Sequence, residues 1–326
     1  MEGDHAALDR ASAAAVPSSA GFLGSDSQVM TQMVNKPSRD RGGAWRAAAA
    51  REAVMKRVPS GTPLERIATA VVDFFRKKFR YEENPQAETS SYDVRYLHEG
   101  TPSAHGPLPP LEFAELKLKI GTNRMLPALA HELLHLEETI HGTPSGDVVA
   151  PPPHLRPFFG KMIPLYARFN NLVGHEITFE RFVALGFRPD TFLGPAVAPF
   201  DYEKTPNGRR TADVPNEVGI SWWSLEYLRH WISARHGADA LTLTDAEHAL
   251  AVGCQRFPEM EAIAASIRAW VERGQFKIRD QYPISMTELF RLIGLPPFSR
   301  WICLERDFTG LHTRRLASPS NGAVKS

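Results

Sequence analysis

The sequence contains only two cysteines, Cys254 and Cys303, among its 326 residues. Two cysteines so far apart provide neither a disulfide framework nor a cysteine-based metal motif, so a reducing compartment is expected. Charge of one sign is also lacking, because 38 Lys and Arg nearly balance 37 Asp and Glu. The resulting net charge of +1 gives no general reason to expect nucleic acid or acidic lipid as a partner.

Long apolar runs are missing as well, so no transmembrane helix and no membrane partner are expected. The start of the chain is acidic and carries no apolar core segment, so it is not a standard secretory signal, and a cytoplasmic location is expected. Residues 1–60 are rich in Ala, Ser and Gly and are predicted to be a disordered tail, in which Trp45 to Met55 has the pattern of a short helix. Residues 316–326 are predicted to be a second disordered tail.

The most informative stretch is His131-Glu132-Leu133-Leu134-His135, which reads H-E-x-x-H inside an apolar segment. Residues four apart share one face of a helix, so both imidazoles can reach one metal ion. Zn²⁺ suits imidazole ligands and leaves an open position for a water, whose pKa falls to roughly 7. Glu132 is then placed to take the proton of that water as general base.

The elements before the motif are predicted from capping and periodicity. Thr62-Pro63-Leu64-Glu65 is a capping box, and apolar residues at helical spacing continue the helix to about Arg80. Tyr92 to Leu97 is predicted as a strand, and Ala114 to Ile120 alternates apolar and charged residues as a half-buried strand does. A turn at Gly121 then leads into the motif helix.

This order of elements, with the H-E-x-x-H motif, resembles the zincin metallopeptidases over residues 62–190. The resemblance implies an α+β fold in which a helix backs a small sheet and an edge strand lies along the substrate cleft. An extended peptide can add to such an edge through main-chain hydrogen bonds. A protein or peptide substrate is therefore expected.

One candidate for the third metal ligand is His141, which has the spacing of the metzincin motif. That motif has Gly where this chain has Glu138, and glycine permits the turn that returns the histidine to the metal. On a straight helix, His141 lies about 9 Å beyond His135 along the axis.

The preferred candidate is Glu176, with Glu180 as the alternative one turn later. Both lie on a predicted inward stripe with Leu165, Phe169, Leu172 and Val183. Residues 176–183 are similar to the E-x-x-A-x-x-F-A segment of ImmA/IrrE-type peptidases, with Phe179 in place of Ala, and the arrangement resembles gluzincins and some bacterial effector-type zinc peptidases. His175 lies about 100° from the stripe and is not predicted to be a ligand.

The remaining chain is predicted to be an all-helical region, residues 196–315, after a zincin-like catalytic domain of residues 61–195. Residues 284–305 resemble a helix-turn-helix phrase, although few of them are basic, so a structural helix pair is favoured. The sequence therefore predicts a zinc-dependent metallopeptidase. The alternatives are a DNA-binding regulator with a zincin-like sensor domain and a catalytically inactive zincin that acts as a binding module.

Overall fold

A computed structural model describes residues 43–98, 103, 105–192, 214–236 and 243–316. The first half contains α1 (Gly43–Arg57), α2 (Pro63–Phe75), β1 (Phe79–Glu83), β2 (Ser91–Tyr96), β3 (Leu111–Leu118), α3 (Met125–Ile140), β4 (Ser145–Val149) and α4 (Phe159–Ala184). The second half contains α5 (Asn216–Arg235), α6 (Leu243–Arg256), α7 (Met260–Arg273), α8 (Tyr282–Leu292), β5 (Phe298–Asp307) and β6 (Gly310–Leu316). The predicted α+β class is confirmed at this level.

The first sheet has the strand order β1-β3-β2 and lies directly before the motif helix in sequence. The central strand β3 pairs parallel with β1 and antiparallel with β2, so Ala114 lies between Phe79 and Val94. These three side chains are buried, and the alternation along β2 buries every second residue. The outer edge of β2 has no strand partner among the described residues.

Helix α2 begins as predicted but ends earlier. Thr62 caps it, because its hydroxyl accepts from the backbone N–H of Glu65 at 3.3 Å. The helix stops at Phe75, and Arg76 adopts φ 47°, a left-handed conformation that a helix cannot continue. Phe79 therefore belongs to β1 rather than to the helix. Side-chain periodicity did not reveal where the helix ends, because Phe75 and Phe79 are four residues apart and both are buried.

The second sheet, with the order β4-β5-β6, shows that the predicted all-helical C-terminal half is wrong. Its strand β4 pairs antiparallel with β5, about 150 residues later. The sheet thus joins residues from both sides of the boundary predicted at residue 195. One buried cluster likewise combines α4 with α5, α7 and α8, so the packing crosses that boundary.

The helix-turn-helix prediction for residues 284–305 is also wrong, as is the favoured helix pair. Helix α8 ends at Leu292, Gly294 turns the chain with φ 77°, and the following residues form β5. Pro296 and Pro297 each disfavour a helical conformation in the residue before them, and the apolar run Trp301 to Leu304 is buried in a strand. The segment therefore presents no recognition helix.

The N-terminal tail prediction needs a partial correction. Residues 43–57 form α1, and Val54 and Val58 are buried against the first half of the chain. These residues are therefore part of the fold, while residues 1–42 and 317–326 lie outside the described residues. No helix in the described part of the chain has both the length and the apolarity of a membrane span.

A buried ion pair ties the second sheet together. Asp147 of β4 contacts Arg300 of β5, and their side chains are only 1% and 2% exposed. Arg300 also donates to the carbonyls of Gly106 and Pro107, at 3.2 and 3.0 Å. His98 lies 3.2 Å from Asp147. Both charges are therefore held away from water and depend on each other.

Replacing Asp147 with Ala should lower the free energy of unfolding by about 3–5 kcal/mol, because it leaves Arg300 buried without its counterion. Urea denaturation measures this loss. The matched control is Glu288→Ala, which removes one partner of an ion pair with Arg273 that is 45% exposed on both sides. That change should cost no more than about 1 kcal/mol. Equal losses in the two variants would contradict this reading of the Asp147 pair.

Candidate metal centre

Helix α3 carries the H-E-x-x-H motif into the interior of the protein. His131 and His135 lie one turn apart on the same face, and their Nε2 atoms are 3.0 Å apart. Their side chains are buried, as are those of Leu133 and Leu134 between them in sequence. The predicted helix is confirmed, and it places the two imidazoles close enough to bind one ion.

Helix α4 adds a third histidine, which is His175 and not the predicted Glu176. Ligand atoms of His131, His135 and His175 all lie within 4.8 Å of one another, and the three side chains are buried. The Nδ1 atom of His175 is buried and has no hydrogen-bond partner among the described residues. A buried imidazole nitrogen without a partner is costly, and a metal ion would supply one.

Hydrophobic periodicity did not predict His175, because it gives α4 a single inward face. This helix packs against both α3 and α5, so it has two buried faces. The stripe of Leu165, Phe169 and Leu172 belongs to the large cluster shared with α5. The sequence signal that could have indicated His175 is the helical spacing of the polar residues Asn171, His175 and Thr178, which share the second face. All three are buried.

Gly174 allows α4 to approach α3 at the metal centre. A Cβ atom at this position would lie 3.0 Å from Cε1 and 3.1 Å from Nδ1 of His135. These distances are tighter than ordinary van der Waals contact, so the helices are close here because residue 174 has no side chain. Thr178 follows one turn later and donates to the carbonyl of Gly174 at 2.9 Å.

Gly174→Ala should therefore displace the His135 ring, weaken metal binding and cost roughly 1–3 kcal/mol of unfolding free energy through overpacking. Gly160→Ala is the matched control, because it lies in the same helix and its added Cβ would have no atom within 4 Å. The control should stabilise the protein by up to about 1 kcal/mol through helix propensity. Thermal and urea unfolding with and without Zn²⁺ separate the two effects. A neutral Gly174→Ala would show that the helices can separate freely at this point.

A backbone contact sets the orientation of His131. Its Nδ1 lies 2.7 Å from the carbonyl oxygen of Phe192, and a carbonyl can only accept, so Nδ1 carries the proton. The neutral ring then has its lone pair on Nε2, the atom that faces His135. Hydrogen bonds of this kind orient metal-bound histidines in general.

Burial keeps all three imidazoles neutral at neutral pH. Burial lowers the pKa of His131, and the hydrogen bond with Phe192 raises it by less, so that this pKa falls to about 4. Burial also lowers the pKa of His135 and of His175 well below the usual value, and the neighbouring histidines lower both further. Neutral imidazole is the form that binds a metal ion.

Glu132 is buried beside the cluster, 4% exposed. Tyr92 of β2 stacks on the His135 ring with centroids 4.8 Å apart. Burial raises the pKa of Tyr92, and the charge of Glu132 raises it further, so the carboxylate lies near the phenol. The edge strand β2 therefore contributes a side chain to the same site as the motif.

The other predicted ligands lie elsewhere. Glu176 is buried, but its Oε1 lies 3.0 Å from Nε2 of His236, at the end of α5. Burial alone would raise the pKa of Glu176, but His236 outweighs it, so that pKa lies below its usual value. Glu180 is exposed and lies 3.4 Å from Lys277. His141 is exposed at the C-terminal end of α3, where the helix runs straight past Glu138.

Ion pairs between the two ligand-bearing helices support this geometry. Arg181 of α4 contacts both Glu137 and Glu138 of α3. The pairs connect the helix that carries His131 and His135 to the helix that carries His175. Glu138 stands at the glycine position of the metzincin motif, and in this protein its carboxylate pairs with Arg181.

Comparison with known proteins gives no match: no family model fits the chain, and no curated protein or solved structure is significantly similar to it.

Proposed function

We propose that this protein is a zinc-dependent metallopeptidase. The observation that carries the proposal is the gathering of three buried histidines, two of them from an H-E-x-x-H helix, with Glu132 beside them. A protein gains nothing from burying three imidazoles together unless they have partners. This proposal replaces Glu176 with His175 as the third ligand.

The donor set fits zinc. Three neutral imidazoles with an open fourth position are a known catalytic zinc environment, whereas hard ions such as Mg²⁺ and Ca²⁺ prefer oxygen ligands. Zinc held here would supply a bound water that is nucleophilic near neutral pH. The Phe192 carbonyl holds His131 in the tautomer that presents Nε2, which is the chain's own contribution to ligand orientation.

Glu132 is the proposed general base. Its carboxylate takes the proton of the attacking water and later passes it to the leaving amine, which departs as a neutral group. Burial of Glu132, which is 4% exposed, excludes bulk water and strengthens its electrostatic interactions. No further residue is needed for the proton transfer itself.

Strand β2 supports a peptide as the substrate class. It is an edge strand of the first sheet among the described residues, and its Tyr92 contacts His135. A substrate that added to this edge in extended conformation would run beside the metal centre. On its half-buried face, opposite Tyr92, the strand carries Asp93 and Arg95, whose side chains form an ion pair at 3.1 Å.

A structural metal centre is the second candidate, and one observation favours it: the side chains of His131, His135 and His175 are all less than 10% exposed. Closed sites of this kind stabilise folds. This candidate corresponds to an inactive zincin that acts as a binding module, and it predicts metal-dependent folding without hydrolysis.

The function is tested by a proteome-wide cleavage screen. Lysate peptides are compared after incubation with the purified protein, with the chelator-treated protein, and with the treated protein after Zn²⁺ is restored. We expect new peptide termini that disappear with the chelator and return with zinc. If zinc binds at about one ion per chain and stabilises the fold, but no termini appear, the centre is structural.

A further inference from the structure

A second site lies at the C-terminal end of α3. Here a cleft of about 340 Å³ opens between α2, the end of α3 and the β5–β6 hairpin. Its volume is at the lower end of the range for small-molecule pockets. His141, which borders the cleft, is six residues past His135, or about 9 Å along a helix axis. The cleft is therefore separate from the metal centre.

The cleft has an apolar floor, formed by Phe74, Ile140 and Leu304. Its walls carry Arg279, Arg306 and two histidines, His141 and His312, together with Glu305 and Asp307. Pockets that bind small molecules combine such an apolar surface with a few polar groups that fix orientation. The polar groups here are mostly cationic or can become so.

Both acidic residues of the cleft have contacts with residues outside it. Glu305 contacts Arg314, which does not line the cleft. Asp307 accepts from the backbone N–H of Thr309 at 2.7 Å and from its hydroxyl at 2.6 Å, and these contacts lower the pKa of its carboxyl group. Glu305 is therefore shared with a cation outside the cleft, whereas Asp307 keeps its negative charge and lies 3.9 Å from His312.

Arg306 is the cation with the least compensation. Its Nε donates to the carbonyl of Phe74 at 2.7 Å, and no carboxylate oxygen of the described residues lies within 4.0 Å of it. Burial, and then the charge of Arg76, lower the pKa of Arg306. An anion in the cleft would relieve both the desolvation and the repulsion.

Arg279 is the second arginine that lines the cleft. Its guanidinium lies over Gly142, where an added Cβ would be 2.5 Å from Cζ. It lies 3.6 Å from Glu305, too far for a hydrogen bond, so its donors are weakly engaged. Two arginines that line one small cleft suit an anionic group, since guanidinium donors match phosphate and carboxylate oxygens.

We propose that this cleft binds a small amphipathic anion, whose phosphate or carboxylate group contacts Arg279 and Arg306 and whose apolar body lies on the floor. The proposal is independent of the proposed peptidase function. It assigns a role to the end of α3 that the H-E-x-x-H chemistry does not use.

Phenyl phosphate and benzoate are suitable probes, with phenol and inorganic phosphate as their separate halves. Titration calorimetry should show one site per chain for a probe that joins both halves, and weaker binding of phenol and of inorganic phosphate. Arg306→Gln and Arg279→Gln should each weaken binding at least about tenfold, the loss expected for one charge-assisted hydrogen bond. The comparison of the two probes identifies which anionic group is preferred.

Two controls locate the site. Arg188→Gln removes an exposed arginine that does not line the cleft, so it should leave binding unchanged. His135→Ala removes a proposed metal ligand, and binding should persist in it, which separates this proposal from the peptidase proposal. If an arginine variant fails to fold, the ring signals of His141 and His312 in the wild-type protein should still shift on titration, as observed by NMR.

Four results would overturn the proposal. The first is that neither probe binds at millimolar concentration, and the second is that both arginine variants bind as the wild type does. The third is that His135→Ala keeps its fold but loses binding. The fourth is that the NMR signals of His141 and His312 do not shift when a probe is added. If phenol bound as tightly as phenyl phosphate and benzoate, the anionic contact would be excluded. If inorganic phosphate bound as tightly as these probes, the apolar contact would be excluded.

Discussion

Glu132→Gln is expected to keep the fold and the bound metal while lowering the rate of peptide hydrolysis at least about a hundredfold, the usual contribution of a positioned acid–base group. Glutamine preserves the size and polarity of a side chain that is 4% exposed, so the packing around it is retained. It cannot accept the proton of the attacking water. The loss should therefore appear in the chemical step and not in substrate binding.

The measurement is the hydrolysis rate of a substrate found in the cleavage screen, together with metal content and unfolding free energy. Glu138→Gln is the matched control, because Glu138 lies on the same helix and its partner Arg181 keeps Glu137. This control should hydrolyse at close to the wild-type rate. A Glu132→Gln variant that is as active as the wild type would remove Glu132 from the mechanism.

His175→Ala is expected to lose zinc affinity by more than the roughly 10–100-fold cost of changing a residue that only supports a ligand. The reason is that His175 alone among the α4 side chains joins the two motif histidines in the described cluster. Removing it leaves two protein ligands, which is fewer than catalytic zinc sites use. Competition with a chromophoric chelator gives the dissociation constants.

Glu176→Ala and His141→Ala complete the comparison. Glu176 contacts His236 and lies beside His175 in sequence, so its loss should weaken zinc binding by no more than about 10–100-fold. His141 is exposed at the end of α3, and its loss should leave zinc affinity unchanged. If Glu176→Ala emptied the site and His175→Ala retained zinc, the ligand predicted from the sequence would be the true one.

His175 shows why the sequence could predict two members of the histidine cluster but not the third. The two motif histidines belong to one helix, and the 3.6-residue repeat places them on one face whatever surrounds that helix. The third ligand depends on which face of α4 meets α3. Hydrophobic periodicity identifies buried faces but does not say which neighbour each one contacts, and α4 has two.

The C-terminal region illustrates the same difference for the fold. Helices α5, α6 and α7 lie within the region that local patterns predicted to be helical. Strand β5 pairs with β4, about 150 residues earlier, and its run of buried residues from Trp301 to Leu304 has no strand-like alternation. Strand pairing over such a distance leaves no local pattern, so the segment was read as helical.

Local sequence by itself determined the motif helix, the cap of α2 and strands β2 and β3, because each rests on hydrogen bonds or side-chain spacing within a few residues. The tertiary structure decided that His175 joins the cluster, that Glu176 pairs with His236, and that β4 and β5 share a sheet. These outcomes depend on which buried surfaces meet, and close packing between distant segments settles that only when the whole chain has folded.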